Sequence, residues 1–147
     1  SRSNILIESL SINEADLEEL NDLDPKVLNF NNCNFKDINF DCIFIGNIGL
    51  QELIITNSHL TDQQGLSILC TMYTECLHYL DFSNNDLGKT AEGKKSFLEG
   101  FIEYFHAYNH LNSINLVNNG FDQDEKNKFT SYIKENYGKK IIKMISL

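Results

Sequence analysis

His106 and His110 stand four residues apart, a spacing that could set two imidazoles on one metal ion, but no third ligand at motif spacing accompanies them. They read as surface or helix-end histidines. Cys76 and His78 flank the start of a predicted strand, where a thiolate and an imidazole could pair, yet nothing supplies the third group that would orient them. Lys89, Lys94 and Lys95 form a modest basic cluster, placed on a long loop after Leu87 and read as a solvated face. With no triad, metal set or phosphate loop, the chain is expected to hold no catalytic residue, metal or cofactor and to be no enzyme. What remains is recognition chemistry. Glu52, Ile54, Tyr79, Asp81, Ser113 and Asn115 make a partner-binding patch if the fold sets them side by side, because tyrosine offers contact area at low entropic cost and carboxylates select basic groups. The plainer reading is that Tyr79 covers a sheet and the acids solvate it.

The elements that would position this patch are written in a repeated frame. LQELIITNSHL from Leu50, LHYLDFSNNDL from Leu77, LNSINLVNNGF from Leu111 and, more loosely, PKVLNFNNCNF from Pro25 share the pattern L-x-x-L-x-L-x-x-N-x-L. This frame resembles that of leucine-rich repeat proteins. Its alternating core predicts a short strand, with Leu28 and Phe30, Leu53 and Ile55, Leu80 and Phe82, and Ile114 and Leu116 inward and the intervening side chains outward. At the ninth position the chain leaves the strand, and a small polar side chain is needed to satisfy interior backbone groups. Cys33, Ser58, Asn85 and Asn119 fill that column; asparagine carries both donor and acceptor, so the units with Cys33 and Ser58 are expected to have looser turns. The neighbouring Asn32, Asn57, Asn84 and Asn118 read as turn chemistry.

The register extends to both ends. Ile5, Ile7, Leu10 and Ile12 fit an opening unit with Leu10 in the polar column, and Ile142, Ile145 and Leu147 fit a closing one. Taking Ile5, Leu28, Leu53, Leu80, Ile114 and Ile145 as equivalent gives about six units spaced roughly 23 to 34 residues apart. Helices are expected between them. Thr61 with Gln64, and Asp122 with Glu125, have capping-box spacing. Apolar stripes follow at Leu66, Leu69, Cys70 and Tyr73, at Phe97, Leu98, Phe101, Ile102 and Phe105, and at Phe129, Tyr132, Ile133 and Tyr137. An earlier helix runs from Asn13 through Leu17 and Leu20, while KDINFDCIFIGNIG in the second unit reads as a short turn or irregular helix.

LDFSNNDLGKTAEG and LTDQQGLSIL resemble the ribonuclease-inhibitor-like branch of leucine-rich repeats. The resemblance implies an α/β solenoid, a horseshoe arc with a parallel concave sheet of about six short strands and helices on the convex side, in one domain over residues 1–147. It also implies a protein-binding module working through its concave sheet. The substitutions at Leu10, Cys33 and Ser58 and the insert GKTAEGKKSF depart from the regular pattern.

Lined up across units, the outward positions fall into columns: Asn4, Val27, Glu52, Tyr79, Ser113 and Met144; Leu6, Asn29, Ile54, Asp81, Asn115 and Ser146; Glu8, Asn31, Thr56, Ser83 and Val117. A net charge of -9 argues against nucleic acid and anionic membrane as partners, since both need clustered Lys and Arg, and favours a protein with a basic surface. No stretch is long enough to span a bilayer and no secretory segment is evident. Cys33, Cys42, Cys70 and Cys76 form no CxxC pair and sit among apolar neighbours, so they are expected to be reduced structural residues in a cytoplasmic protein. The ends fall within strands, which suggests a fragment or self-association through terminal strands. The second functional expectation is a targeting segment of a larger enzyme such as a ubiquitin ligase; the short, irregular, Asn- and Ile-rich repeats also resemble leucine-rich repeat effectors that intracellular bacteria inject into host cells, which implies an effector acting on proteins in host cytoplasm.

Overall fold

The period-two alternation of each frame becomes a strand with one face buried. The computed structural model describes residues 4–41, 49–72, 75–104, 111–137 and 145–147. These form an α/β fold in the order β1 (Asn4–Glu8), α1 (Glu14–Asp22), β2 (Val27–Asn31), β3 (Glu52–Thr56), α2 (Asp62–Thr71), β4 (Tyr79–Asp81), α3 (Ala91–Tyr104), β5 (Ser113–Asn115), α4 (Gln123–Tyr137) and β6 (Ile145–Ser146). All six strands are parallel and neighbours in sequence order, β1 to β6. The strand register is the one the frame requires: Ile5, Leu28, Leu53, Leu80, Ile114 and Ile145 are successive partners.

Side chains on one face of the sheet meet the helices. Leu28, Phe30, Leu53, Ile55, Leu80 and Phe82 are wholly buried with Leu17 of α1, Ile68 of α2 and Phe97 of α3 in one core. Both predicted capping boxes form: Thr61 with Gln64 opens α2, and the Asp122 carboxylate accepts from the Glu125 N–H while the Glu125 carboxylate accepts from the Asp122 N–H. A third, Asn13 with Asp16, opens α1. After β2 the segment through Asp41 forms turns and no helix. Phe35 and Phe40 fill the space below that strand instead, with Phe35 edge-on to Phe30 at 5.2 Å and tilted on Phe40 at 5.4 Å. The remaining apolar stretch of that unit, Cys42 to Ile48, lies outside the described residues.

At each strand exit the chain turns through a residue with left-handed backbone. Ser9, Asn32, Asn57, Asn84 and Asn118 take φ of 57, 54, 53, 59 and 58°, a region asparagine enters more easily than most residues, so the asparagine column is turn chemistry as its sequence suggests. The next column joins the units. Asn85 Oδ1 accepts from Ser58 N and Leu60 N at 3.0 and 3.1 Å, while its amide donates to the carbonyls of Ile55, Phe82 and Ser83. Asn119 does the same one unit on, accepting from Leu87 N and donating to Phe82 O, Leu116 O and Val117 O. Ser58 Oγ accepts from Cys33 N at 3.0 Å and donates to Thr56 O; the Cys33 thiol faces Ile7 O and Asn31 O at 3.5 and 3.6 Å. Asparagine thus donates to three carbonyls and serine to one, at 2.7 Å, while the thiol approaches its carbonyls only at 3.5 Å or more.

Several expectations are corrected. Leu10 does not sit in the interior column: its side chain is 56 % exposed, because an aliphatic group can satisfy none of the turn's polar atoms. Cys70 is exposed, not part of a buried stripe. The buried face of α2 is Gly65, Ile68 and Leu69, continued by Met72, with Leu66 turned toward α3. Tyr132 of α4 is likewise exposed while Phe129 and Ile133 are buried. Lys94 and Lys95 lie within α3, not on a loop, and Lys94 Nζ reaches Glu125 Oε1 of α4 at 3.5 Å. Tyr73 and Phe105 lie outside the described residues.

The rotation of α2 follows from close helix contact. A Cβ at Gly65 would come within 2.7 Å of Leu87 Cδ2 and 3.2 Å of Phe97 Cε2, and one at Gly100 would meet Leu66 Cδ2 at 2.5 Å. Leu87 and Phe97 are wholly buried and cannot give way, whereas Leu66 is half-buried and can shift. Gly65→Ala should therefore lose stability in a urea melt, by about 1 kcal/mol after overpacking of about 1–3 kcal/mol is offset by helix propensity, and Gly100→Ala should be neutral or stabilising. The turn register gives a second test. Asn85→Ala strands at least three backbone groups and should cost about 3 kcal/mol or more, while Asn84→Gly, which keeps the left-handed turn, should stay within about half a kcal/mol.

Candidate functional site

The face of the sheet away from the helices carries the outward side chains. Backbone pairing sets Glu52, Tyr79 and Ser113 in one row and Ile54, Asp81 and Asn115 in the next, so all six expected patch residues are neighbours, each half-buried. The rows continue through Val27 and Asn4 on one line and through Asn29 and Leu6, and at the far end Ser146, on the other. Met144, expected in the first row, lies outside the described residues. The third column is corrected: Glu8, Asn31 and Thr56 pair as expected, but β4 has ended before Ser83, which is buried and 6 % exposed.

Tyr79 and Asp81 form a unit of their own. The Tyr79 hydroxyl donates to Asp81 Oδ2 at 2.9 Å, and Asp81 Oδ1 accepts from Ser83 N at 2.9 Å. Residues two apart on a strand share a face, so this bond lays the phenol along β4 instead of leaving it free to rotate. Asn115 repeats the second bond on β5, its Oδ1 accepting from Val117 N at 3.1 Å. Asp81 therefore has a structural task that asparagine could perform, and a charge that asparagine could not supply. Burial, the bond to Asp81 and the charges of Asp81 and Glu52 push the Tyr79 phenol up from 10.0 to about 12, because each disfavours a further anion.

On a second edge of the molecule, asparagine amides link turns: Asn57 Nδ2 donates to Asn31 Oδ1, and Asn118 Nδ2 to Asn84 Oδ1, both at 2.9 Å. A cleft of about 470 Å³ lies between the start of α2 and the turns that follow β2. Lys36, Asp37, Asp62 and Gln63 are among its lining residues, and the Gln64 amide donates to Lys36 O and Ile38 O beside it. Its charges are mixed, so it selects no one sign of ligand. Nothing in the repeated frame marks it, since it lies between the turns after β2 and the start of α2.

Among the described residues, the other candidates are not gathered into a site. His106 and His110 lie outside the described residues, as does Cys42. Cys76 is exposed ahead of β4, which overturns its reading as a structural residue, and His78 is half-buried. Cys33, Cys70 and Cys76 are free thiols, and Cys33 alone of these is buried. Among the described residues no three or more His, Cys, Asp or Glu side chains are grouped to hold a metal, and no helix is long and apolar enough to cross a membrane. Comparison of the chain with protein families, with curated proteins and with solved structures finds no match.

The phenol gives the site a spectroscopic handle. In a titration followed by phenolate absorbance, subtracting Tyr79→Phe from the parent should isolate one tyrosine ionising near pH 12, and Asp81→Asn should bring it back toward 10. With its pKa raised in the fold, Tyr79 contributes stability that is fully present below pH 10.0 and is lost as pH rises through about 12. A Tyr79 that ionises with the ordinary tyrosines would mean that the bond to Asp81 does not persist in solution.

Proposed function

We propose that the chain is a leucine-rich repeat solenoid of the ribonuclease-inhibitor-like kind, and that it binds a protein with a basic surface through its uncovered, concave sheet. One observation carries this reading: the repeated frame coincides with the strand register, so that the frame's variable positions fall together on the face that the helices leave open. A stack of such units exposes a broad surface and not an enclosed pocket, which suits a macromolecular partner better than a small substrate. The ionisable groups at paired outward positions support the sign of the partner. Glu8, Glu52 and Asp81 are acidic, Tyr79 is held neutral, and no Lys or Arg stands among these positions in the described residues. Complementary charge speeds encounter and rejects wrong partners more than it adds raw affinity.

The test is affinity capture by the intact chain from cell lysates, with identification and re-measurement of the captured protein. Tyr79→Ala with Asp81→Asn should weaken its binding at least about tenfold, which corresponds to roughly 1.4 kcal/mol. The asparagine keeps an acceptor for Ser83 N, as Asn115 does for Val117, so the chain should stay folded, with its thermal midpoint lowered only by the loss of the Tyr79 contacts. Lys89→Glu with Lys95→Glu, both exposed and away from the sheet, should leave binding intact. Capture abolished by the lysine pair and untouched by the sheet pair would place recognition on α3 and contradict the proposal.

A further inference from the structure

We infer that Tyr79, Glu52 and Asp81 form a seat for one arginine side chain of the partner, with the guanidinium over the phenol ring and between the two carboxylates. This rests on the binding role proposed above and names the group that the sheet face selects.

The geometry favours a planar cation. Glu52 is the direct partner of Tyr79 on β3, and Asp81 lies two residues along β4, so negative groups flank the ring on two sides. The ring's position is set before any ligand arrives by the 2.9 Å bond from its hydroxyl to Asp81 Oδ2. Less side-chain freedom is then lost on binding. Each Asp81 oxygen already accepts one bond, from Tyr79 and from Ser83 N, but a carboxylate oxygen has a second lone pair, so the group can still accept from a ligand. A guanidinium offers five donors in a plane and can stack on an aromatic face while donating to carboxylates at its edges. An ammonium is a compact, strongly hydrated point charge that would have to give up more water beside Ile54, the half-buried neighbour of Asp81 on β3. The neighbours on β5, Ser113 and Asn115, are neutral, so the negative charge lies toward β3 and β4.

The neutral phenol matters to the seat. Burial, its bond to Asp81 and the charges of Asp81 and Glu52 push its ionisation up to about 12, so it remains a hydrogen-bond donor to Asp81 and does not become a third anion even where an ordinary phenol would ionise. Glu8 belongs to the same face but to β1, two strands from β3, and takes no part in the seat.

The test is an NMR titration of the isotope-labelled full chain with three blocked tetrapeptides of sequence Gly-X-X-Gly, where X is arginine, lysine or citrulline. The arginine peptide should shift the resonances of Ile54, Tyr79 and Asp81 and bind at least about threefold more tightly than the lysine peptide, and the neutral citrulline peptide should shift none of them. Tyr79→Phe should keep most of that binding, whereas Tyr79→Ala and Glu52→Gln should each weaken it at least about threefold, Glu52→Gln without changing the thermal midpoint. Equal affinity for arginine and lysine, with shifts still on the sheet face, would overturn the arginine seat and leave the proposed binding face standing. Shifts centred on the acidic surface of α1 around Glu18 and Glu19, with none at Tyr79, would overturn both.

Discussion

The structure depends on how the interior of each turn is kept hydrogen-bonded. Where the chain leaves a strand, carbonyls and amides point into the stack, and each one left unsatisfied would cost about 1–3 kcal/mol. A side-chain amide solves this with one group, because it donates and accepts at once. Asn85 reaches both backward to the β3 unit, through Ser58 N, Leu60 N and Ile55 O, and within its own turn, through Phe82 O and Ser83 O. The same atoms that close one turn therefore fix the register of two units. Register in turn decides which side chains the open face presents, since a shift of one residue would turn every core leucine outward and every candidate contact inward.

Packing on the other side of the sheet is less regular than the ladder. Between α2 and α3 the approach is close enough to need glycine at Gly65, while under β2 the aromatic pair Phe35 and Phe40 packs against the strand from the turns that follow it. These differences are absorbed below the sheet. Above it, the rows from Asn4 to Ser113 and from Leu6 to Ser146 stay in step across units of unequal length. The face is thus insulated from the variation in the helices, and its chemistry can be set residue by residue.

Much of this is legible in the sequence because its signals are local. The strands come from period-two alternation, the unit register from the repeated L-x-L and Asn positions, and the helix starts from Thr61 with Gln64 and Asp122 with Glu125. What was not legible depends on how units of different length meet. The stripe through Leu66 and Cys70 has good helical spacing, but Gly65 lets α3 in on a neighbouring face and leaves Cys70 outside. The segment holding Lys94 looks like an insert because Thr90, Gly93 and two lysines resemble a polar loop, yet Phe97 and Phe101 anchor it as a helix on the core. Leu10 occupies a frame position without the chemistry the position requires, and burial did not follow. Asp81 was legible as an acid on the outward face; that it also holds Tyr79 and Ser83 N was not, since the first bond depends on how the phenol lies along β4 and the second on the exit path of that strand.

The central claim is that side chains of one unit hold the backbone of the unit before it, and amide hydrogen exchange tests it directly. In the parent chain, the amides of Cys33, Ser58, Leu60 and Leu87, whose acceptors are the side chains of Ser58, Asn85 and Asn119, should exchange as slowly as those of the buried strand residues. In Asn85→Ala, Ser58 and Leu60 should lose protection selectively, while Leu87, served by Asn119, and Cys33, served by Ser58, should retain more of theirs. Ser58 and Leu60 amides that exchange freely in the parent, or that keep their protection when Asn85 is removed, would contradict the account.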